Sequence, residues 1–135
     1  MRITFLDAGV LIAAVRGNGI IAQRAFEILN DPNRIFASSA FVSLEVLPKA
    51  SFFKRRDEVA FYETYFGGVQ RWAPPGADLL EKAFSLGCER GLSALDALHG
   101  AAALSVGATE LVTTERSNSP LHRLSSIKVT TIHPG

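Results

Sequence analysis

Residues Arg2 to Val15 read RITFLDAGVLIAAV, and the change of character at Asp7 decides the fold. RITFL, residues 2–6, is a short apolar run rich in β-formers and predicts a buried strand. AGVLIAAV, residues 8–15, predicts a short helix that ends near Gly17-Asn18-Gly19. A strand that passes into a helix through one carboxylate is the opening of an α/β unit. The stretch has some of the apolar character of a secretory leader. Asp7 interrupts that character and no convincing small-residue cleavage site follows, so the strand-and-helix reading is preferred.

The alternation continues along the chain. Ile20–Leu29 has helical spacing, with Ile21, Ala25, Ile28 and Leu29 on one side, and Asn30-Asp31-Pro32 stops it. Ile35–Ala37 predicts a second strand, after which Ser38 or Ser39 caps a helix carrying FVSLEVLPKA. Pro48 is expected to kink or end that helix just after Glu45. Phe52–Phe66 reads as an amphipathic helix containing the charge run KRRDE. Val69–Trp72 is a third strand, Pro74-Pro75-Gly76 opens a helix over Ala77–Arg90, and Ser93–Val106 is a further helix. ELVT (110–113) and KVTTI (128–132) are the last strands. With no repeat and no linker, residues 1–135 are expected to form one α/β domain. Its mostly parallel sheet of four to five strands has helices on both faces and right-handed crossovers.

Composition narrows the classes. Apolar residues make up 47% of the chain and charged residues 20%, which excludes a disordered chain. The apolar runs are broken by Asp7, Glu45 or Glu89, well short of a membrane span. Cys88 is the single cysteine, so an internal disulfide is excluded and a cytoplasmic location is expected. The Cys/His groupings of structural zinc are absent. A net charge of +1 does not advertise nucleic-acid binding, so any polyanion contact comes from local patches.

In such a sheet, ligands gather beyond the carboxyl ends of the strands, the edge to which helix N-termini also point. Four acids fall there. Asp7 follows the first strand, and Glu115 comes two residues after ELVT. Asp96 lies in the first turn of its helix, and Glu45 sits two helical turns after the second strand. Each alone has an ordinary reading: Asp7 as a helix cap, Ser93-x-x-Asp96 as a capping box, Glu45 as a solvated position, Glu115 as a loop residue. Yet Asp96, Gly100, Ala103 and Gly107 form a small-residue stripe that lets the helix approach the sheet, which turns Asp96 inward. Together the ordinary readings leave the shared edge unexplained. Carboxylates about 4 Å apart repel by roughly 4 kcal/mol per pair at an effective dielectric near 20. A hard divalent cation removes that repulsion, and acid-rich, His-poor ligation favours Mg²⁺ or Mn²⁺ over zinc. Such an ion activates water and orients a phosphodiester, so the site is expected to be a phosphodiesterase.

LDAGVLIAA, SLEVLPKA, LSALDALHGAAA and ELVTTE together resemble the PIN-domain ribonucleases, including the VapC-type toxins of toxin–antitoxin pairs. The resemblance runs from residue 2 to about 132, with the acids in the family order. It implies a parallel sheet between helices, a divalent metal, endonucleolytic cleavage of RNA, and an antitoxin protein as partner. Asp7, Glu45, Asp96 and Glu115 match the acidic quartet, as catalytic residues and metal ligands, and Thr113 matches the hydroxyl beside the fourth acid. The chain departs from the family at two places. Ala8 and Gly9 follow the first Asp where Thr or Ser is common, and Glu115 is one methylene longer than the usual Asp.

Around the quartet, Thr114, Arg116 and His99 are further candidates for substrate or supporting contacts. Arg116 is assigned to a phosphate, whereas packing is the simpler role for His99. Lys54-Arg55-Arg56 either grips RNA phosphates or, with Asp57 and Glu58, forms a solvated face. Phe52, Phe53, Phe61, Tyr62, Tyr65 and Phe66 exceed what one helix face buries, which points to a homodimer or a partner interface. Two other classes remain: a PIN fold that binds RNA or protein without cutting, and a receiver-like or phosphatase domain with Asp7 as phosphate acceptor. The phosphatase reading lacks an Asp-x-Asp pair, since Asp7 is followed by Ala8-Gly9.

Overall fold

The computed structural model describes residues 1–135. Its strands are β1 (Arg2–Leu6), β2 (Arg34–Ser38), β3 (Arg71–Trp72), β4 (Glu110–Thr113) and β5 (Lys128–Thr131). The helices are α1 (Ala8–Arg16), α2 (Gly19–Leu29), α3 (Ala40–Phe52), α4 (Arg56–Gly67), α5 (Ala77–Arg90) and α6 (Ala94–Ser105), with a 3₁₀ turn at Pro120–Arg123. All five strands pair in parallel, in the order β3-β2-β1-β4-β5. The chain winds outward from β1 to β2 and β3, then crosses back to place β4 on the other side of β1. Right-handed crossovers put α1–α4 on one face and α5–α6 on the other. Packing agrees, because α1 touches α2, α3 and α4, and α3 touches α4, while α5 lies along α6.

The core forms where the apolar strands meet helices of small residues. Phe5, Leu6, Leu111 and Val112 are fully buried, with Val10 and Leu11 of α1 among the same cluster. In α6, Ala97, Gly100, Ala101, Ala102 and Ala103 are all buried. Gly100 is part of that close approach: a Cβ there would come within 3.2 Å of Leu124 and 3.5 Å of Leu86. The expected stripe therefore holds through Ala103, while Gly107 is exposed beyond the helix, at a φ of 69°. No helix is long and apolar enough to cross a membrane.

Three sequence expectations change in detail. Helix α3 does not end after Glu45 but continues through Pro48 to Phe52. The carbonyl that Pro48 leaves without a helical partner belongs to Leu44, and both residues lie on the exposed side of the helix, clear of the core. The helix read as Phe52–Phe66 is divided. Phe52 and Phe53 belong to the end of α3, Lys54 turns the chain at a φ of 56°, and the Arg55 N–H donates back to the Ala50 carbonyl (2.9 Å). The aromatic surplus is then largely absorbed by the chain itself: Tyr62 is fully buried and Phe61, Tyr65 and Phe66 pack on the core. Phe52 and Phe53 alone of that group stay exposed. Finally, β3 is two residues long, because Val69 is held in the turn that closes α4.

The amino edge of the sheet carries a polar lock that sequence reading missed. Arg34 donates to Glu110 Oε1 (2.8 Å), Thr4 Oγ1 (2.9 Å) and Asp31 Oδ2 (3.0 Å), and the Thr130 hydroxyl donates to Glu110 Oε2. The Arg34 and Glu110 side chains are both under one-tenth exposed. This ties β2, β1, β4 and β5 together across the sheet, with Thr4 and Glu110 opposite one another and Arg34 and Thr130 reaching in from two residues away along their strands. Burial raises the Glu110 carboxyl, but the bonds from Thr130 and Arg34 and the guanidinium charge outweigh it, leaving a net lowering. The stability that Glu110 contributes is present above its ordinary value and is lost as pH falls through the lowered one. Arg34→Ala, which leaves the buried Glu110 charge with the Thr130 hydroxyl but no cation, is expected to cost about 3–5 kcal/mol. Replacing both by apolar residues of similar size should recover most of it, as chemical denaturation of the single and double variants will measure.

Candidate active site

Strand order reverses at β1, so the crevice between the carboxyl ends of β1 and β4 is the topological switch point. A cleft of about 270 Å³ opens there, lined by Asp7, Glu45, Asp96 and Glu115 together with Gly9, Ser93, Leu95, His99 and Thr114. The four acids, more than a hundred residues apart at the extremes, do share one cleft. A second, apolar groove of about 470 Å³ runs between α5 and α6 past Leu80, Phe84 and Leu98, with Cys88 its one reactive side chain.

Asp7 has two roles at once. Its backbone N–H extends the β1–β4 ladder to the Val112 carbonyl (3.0 Å), and its Oδ1 caps α1 by accepting from the Val10 N–H (3.2 Å). The ordinary reading of Asp7 as a cap is therefore true, and it leaves the same carboxylate facing the cleft. Thr113, fully buried at the end of β4, accepts from the Glu115 N–H (3.1 Å), and its hydroxyl hydrogen-bonds Asp7. That one hydroxyl couples the first and fourth acids. Glu115 itself is anchored by its backbone, since the Thr131 hydroxyl donates to its carbonyl, while its Oε2 is buried without a partner.

Asp96 occupies the first turn of α6. Ser93 caps the helix by accepting from the Asp96 N–H (3.3 Å), and its hydroxyl touches the Asp96 carboxyl, but the Ser93 backbone N–H does not donate to that carboxylate as a full capping box requires. Only half of the capping box is made, and the Asp96 carboxylate is left for the cleft. One turn further, His99 is 5% exposed, lies 6.1 Å from the Phe5 ring centroid, and pairs through Nε2 with Glu45 Oε1. Packing and polar roles coincide in His99, because the buried imidazole both fills space beneath α6 and steers Glu45 across from α3. Its Nδ1 has no partner.

Gly9 explains itself only in three dimensions. A Cβ at that position would fall on the Thr114 hydroxyl and within 3.3 Å of Asp7 Oδ1. Thr114, just past the end of β4, thus sets its hydroxyl beside Asp7 in the space that Gly9 leaves. Arg116 is exposed, its carbonyl closing a turn with the Ser119 N–H (3.0 Å), and it lies outside the residues lining the cleft.

The charge balance of the cleft is unfavourable without a counter-ion. Burial, reinforced by the Glu115 charge, pushes the Asp7 carboxyl up to about 6 against the opposing bonds from Thr113 and Val10 and the pull of His99. Asp96 is raised too, by burial first, then by Glu115 and Glu45. No three His, Cys, Asp or Glu side chains gather tightly enough to chelate one ion as they stand. The donor set nevertheless fits a hard divalent cation: it is all oxygen, one Glu115 oxygen is buried and unpartnered, and the mutual repulsion awaits a positive charge.

Two measurements probe this strain. A raised Asp7 carboxyl contributes stability that is present below about pH 4 and is lost as pH rises through about 6. Asp7→Asn keeps a good cap while removing the charge. In chelator it should melt above wild type at pH 7.5, by an amount equivalent to about 1–3 kcal/mol, and close to wild type at pH 4. A lower melting point at both pH values would mark Asp7 as a purely structural cap. Gly9→Ala should destabilise wild type but not a Thr114→Ala background, and a double-mutant cycle by chemical denaturation should show coupling of about 1 kcal/mol.

Comparison with known proteins agrees with this architecture. A PIN-domain family model matches residues 4–119. Among solved structures, the chain is similar to VapBC2 from Rickettsia felis bound to a promoter DNA fragment (TM-score 0.71, 17% identity, 96% of this chain and 98% of that one). It is also similar to VapBC-1 from nontypeable Haemophilus influenzae (TM-score 0.65, 19% identity, 96% and 98%). A toxin–antitoxin complex from Klebsiella pneumoniae is a third likeness (TM-score 0.64, 20% identity, 85% and 88%). The search of curated proteins returns no match. At these identities the structures establish the fold, while the family model covers most of the sequence. With its parallel sheet and a switch-point cleft lined by four acids, the chain belongs to the PIN-domain family.

Proposed function

We propose that the protein is a divalent-metal-dependent endoribonuclease acting as the toxin of a toxin–antitoxin pair. The observation that carries the reading is the convergence of Asp7, Glu45, Asp96 and Glu115 on one cleft at the switch point. These four would hold Mg²⁺ or Mn²⁺, which when bound activates water and neutralises the phosphodiester. The chain's own residues prepare that cleft. Thr113 orients Asp7, Ser93 sets the start of α6 and so the height of Asp96, and His99 steers Glu45. Thr114 places its hydroxyl beside Asp7, Leu95 supplies an apolar wall, and Arg116 is the nearby loop cation for a substrate phosphate.

The antitoxin partner is supported by the solved neighbours, one described as a toxin–antitoxin complex and two as VapBC structures. A homodimer is supported by large apolar side chains left in water, such as Leu80 and Phe84 of α5. Sedimentation of the isolated chain over a range of concentrations tests it. A second reading, a PIN fold that binds RNA or protein without cutting, is favoured by the engagement of Glu45 with His99 and by the distance still separating the acids.

Cleavage of a single-stranded RNA with Mn²⁺, compared with Asp96→Asn, separates the two. Wild type should cut and the variant should not, although both fold. In melting curves, Mn²⁺ at a hundredfold excess over its dissociation constant should stabilise wild type by about 2.7 kcal/mol and Asp96→Asn much less. Equal shifts for the two proteins, or equal cleavage, would overturn the nuclease assignment.

A further inference from the structure

The acidic cleft does not end at Glu45. The same side chain also lines a neighbouring groove of about 220 Å³ on the α1–α3–α4 side, whose other charged walls are Arg16, Lys49, Arg55 and Glu58. Beyond it, at the corner where α3 passes into α4, Lys54 and Arg56 border a further shallow pocket with Ser51 and Val59. The character of the surface thus changes from acidic to basic within one helical turn of α3, since Lys49 stands four residues after Glu45.

The cations of this corner are available. Both carboxylates that line the groove are already engaged, Glu45 with His99, and Glu58 with the Tyr62 hydroxyl (2.9 Å) and Arg16 (3.6 Å). Lys49, Lys54, Arg55 and Arg56 make no ion pair, and all four are exposed. The Arg55 guanidinium lies 5.3 Å from the Phe53 ring centroid, and Phe53 packs edge-on against Phe52 with centroids 5.1 Å apart. These two rings are 54% and 78% exposed. A row of unpaired cations leading from the acids, ending at an exposed aromatic pair stacked with arginine, has the make-up of a single-strand platform.

We propose that this surface is the track for single-stranded RNA. Lys49 and Arg55 hold consecutive phosphates on one side of the bond in the cleft, and a base of the flanking nucleotide stacks on Phe53. The proposal rests on the ribonuclease reading and adds to it which flank of the cleft the strand follows. Charge complementarity selects this occupant, because a polyanion gains from every unpaired cation along the groove whereas an apolar partner would leave four charges buried.

The test uses a fluorescein-labelled 12-nucleotide single-stranded RNA of mixed sequence, read by anisotropy in EDTA so that nothing is cut. Lys49→Gln/Arg55→Gln should weaken binding at least tenfold near 0.1 M salt and reduce the slope of log affinity against log salt by about 1.4, or about 0.7 for each phosphate that is no longer neutralised. Lys49→Gln alone should reduce it by about half as much. Phe53→Ser should weaken binding while leaving the slope unchanged, because stacking releases no counter-ions. Unaltered melting curves check that these surface changes leave the fold intact. Wild-type slope and affinity in the double variant would overturn the track while leaving the nuclease reading standing. Loss of a co-expressed protein partner with RNA binding unchanged would also overturn it, marking the corner as a protein interface. Absence of both RNA binding and Mn²⁺-dependent cleavage in wild type would remove the track and the nuclease reading together.

Discussion

Pairing of β1 with β4 is the constraint on which the rest of this molecule depends. The two strands stand more than a hundred residues apart in the chain, yet lie in parallel register with Phe5 opposite Leu111 and Leu6 opposite Val112. The ladder closes with the Asp7 N–H on the Val112 carbonyl, and β4 then delivers Thr113, Thr114 and Glu115 alongside Asp7. Shifting that register by one residue would turn every side chain of the pair to the other face of the sheet. Leu6 and Val112 would lose the core, and the acids would lose one another. The lock of Arg34, Thr4, Glu110 and Thr130 at the amino edge opposes such a slip, since its bonds join four neighbouring strands at fixed offsets in their register.

The two edges of the sheet treat buried carboxylates in opposite ways. At the amino edge Glu110 is satisfied by a guanidinium and a hydroxyl, and its carboxyl is lowered. At the carboxyl edge Asp7 and Asp96 are raised, because burial and neighbouring acids act on them without a matching cation. Within one small domain the first arrangement serves folding. The second is a standing strain of the kind that functional sites retain at the expense of stability. Small residues permit it: the Ala-rich buried face of α6 brings Asp96 and His99 down onto the sheet, and Gly9 leaves room for the Thr114 hydroxyl beside the first acid.

Much of this was legible in the chain. The strand–Asp–helix opening, the alternation of short apolar runs with helical segments, and Ser93 before α6 are local patterns, and local backbone chemistry decides them. The four acids could be placed on one edge because direction along a parallel sheet follows from chain order alone. Helix ends were less legible. Pro48 stays inside α3 because it and Leu44, whose helical bond it removes, lie on the exposed side of the helix, a matter of which side faces solvent. Phe61, Tyr62, Tyr65 and Phe66 are covered because α4 packs on the core, whereas their number alone pointed to a partner.

The sequence by itself determined the element types, the parallel α/β architecture and the edge at which the carboxylates gather, because hydrophobic period and chain direction are written residue by residue. Tertiary structure alone decided which polar groups meet. Glu45 with His99, Thr113 with Asp7, Thr114 in the space left by Gly9, and Arg34 with Glu110 each join elements distant in the chain. Such pairings depend on side-chain reach and burial to within about an ångström. No spacing along one strand or helix carries that information, because each partner arrives on a different element and at a depth set by how closely those elements pack.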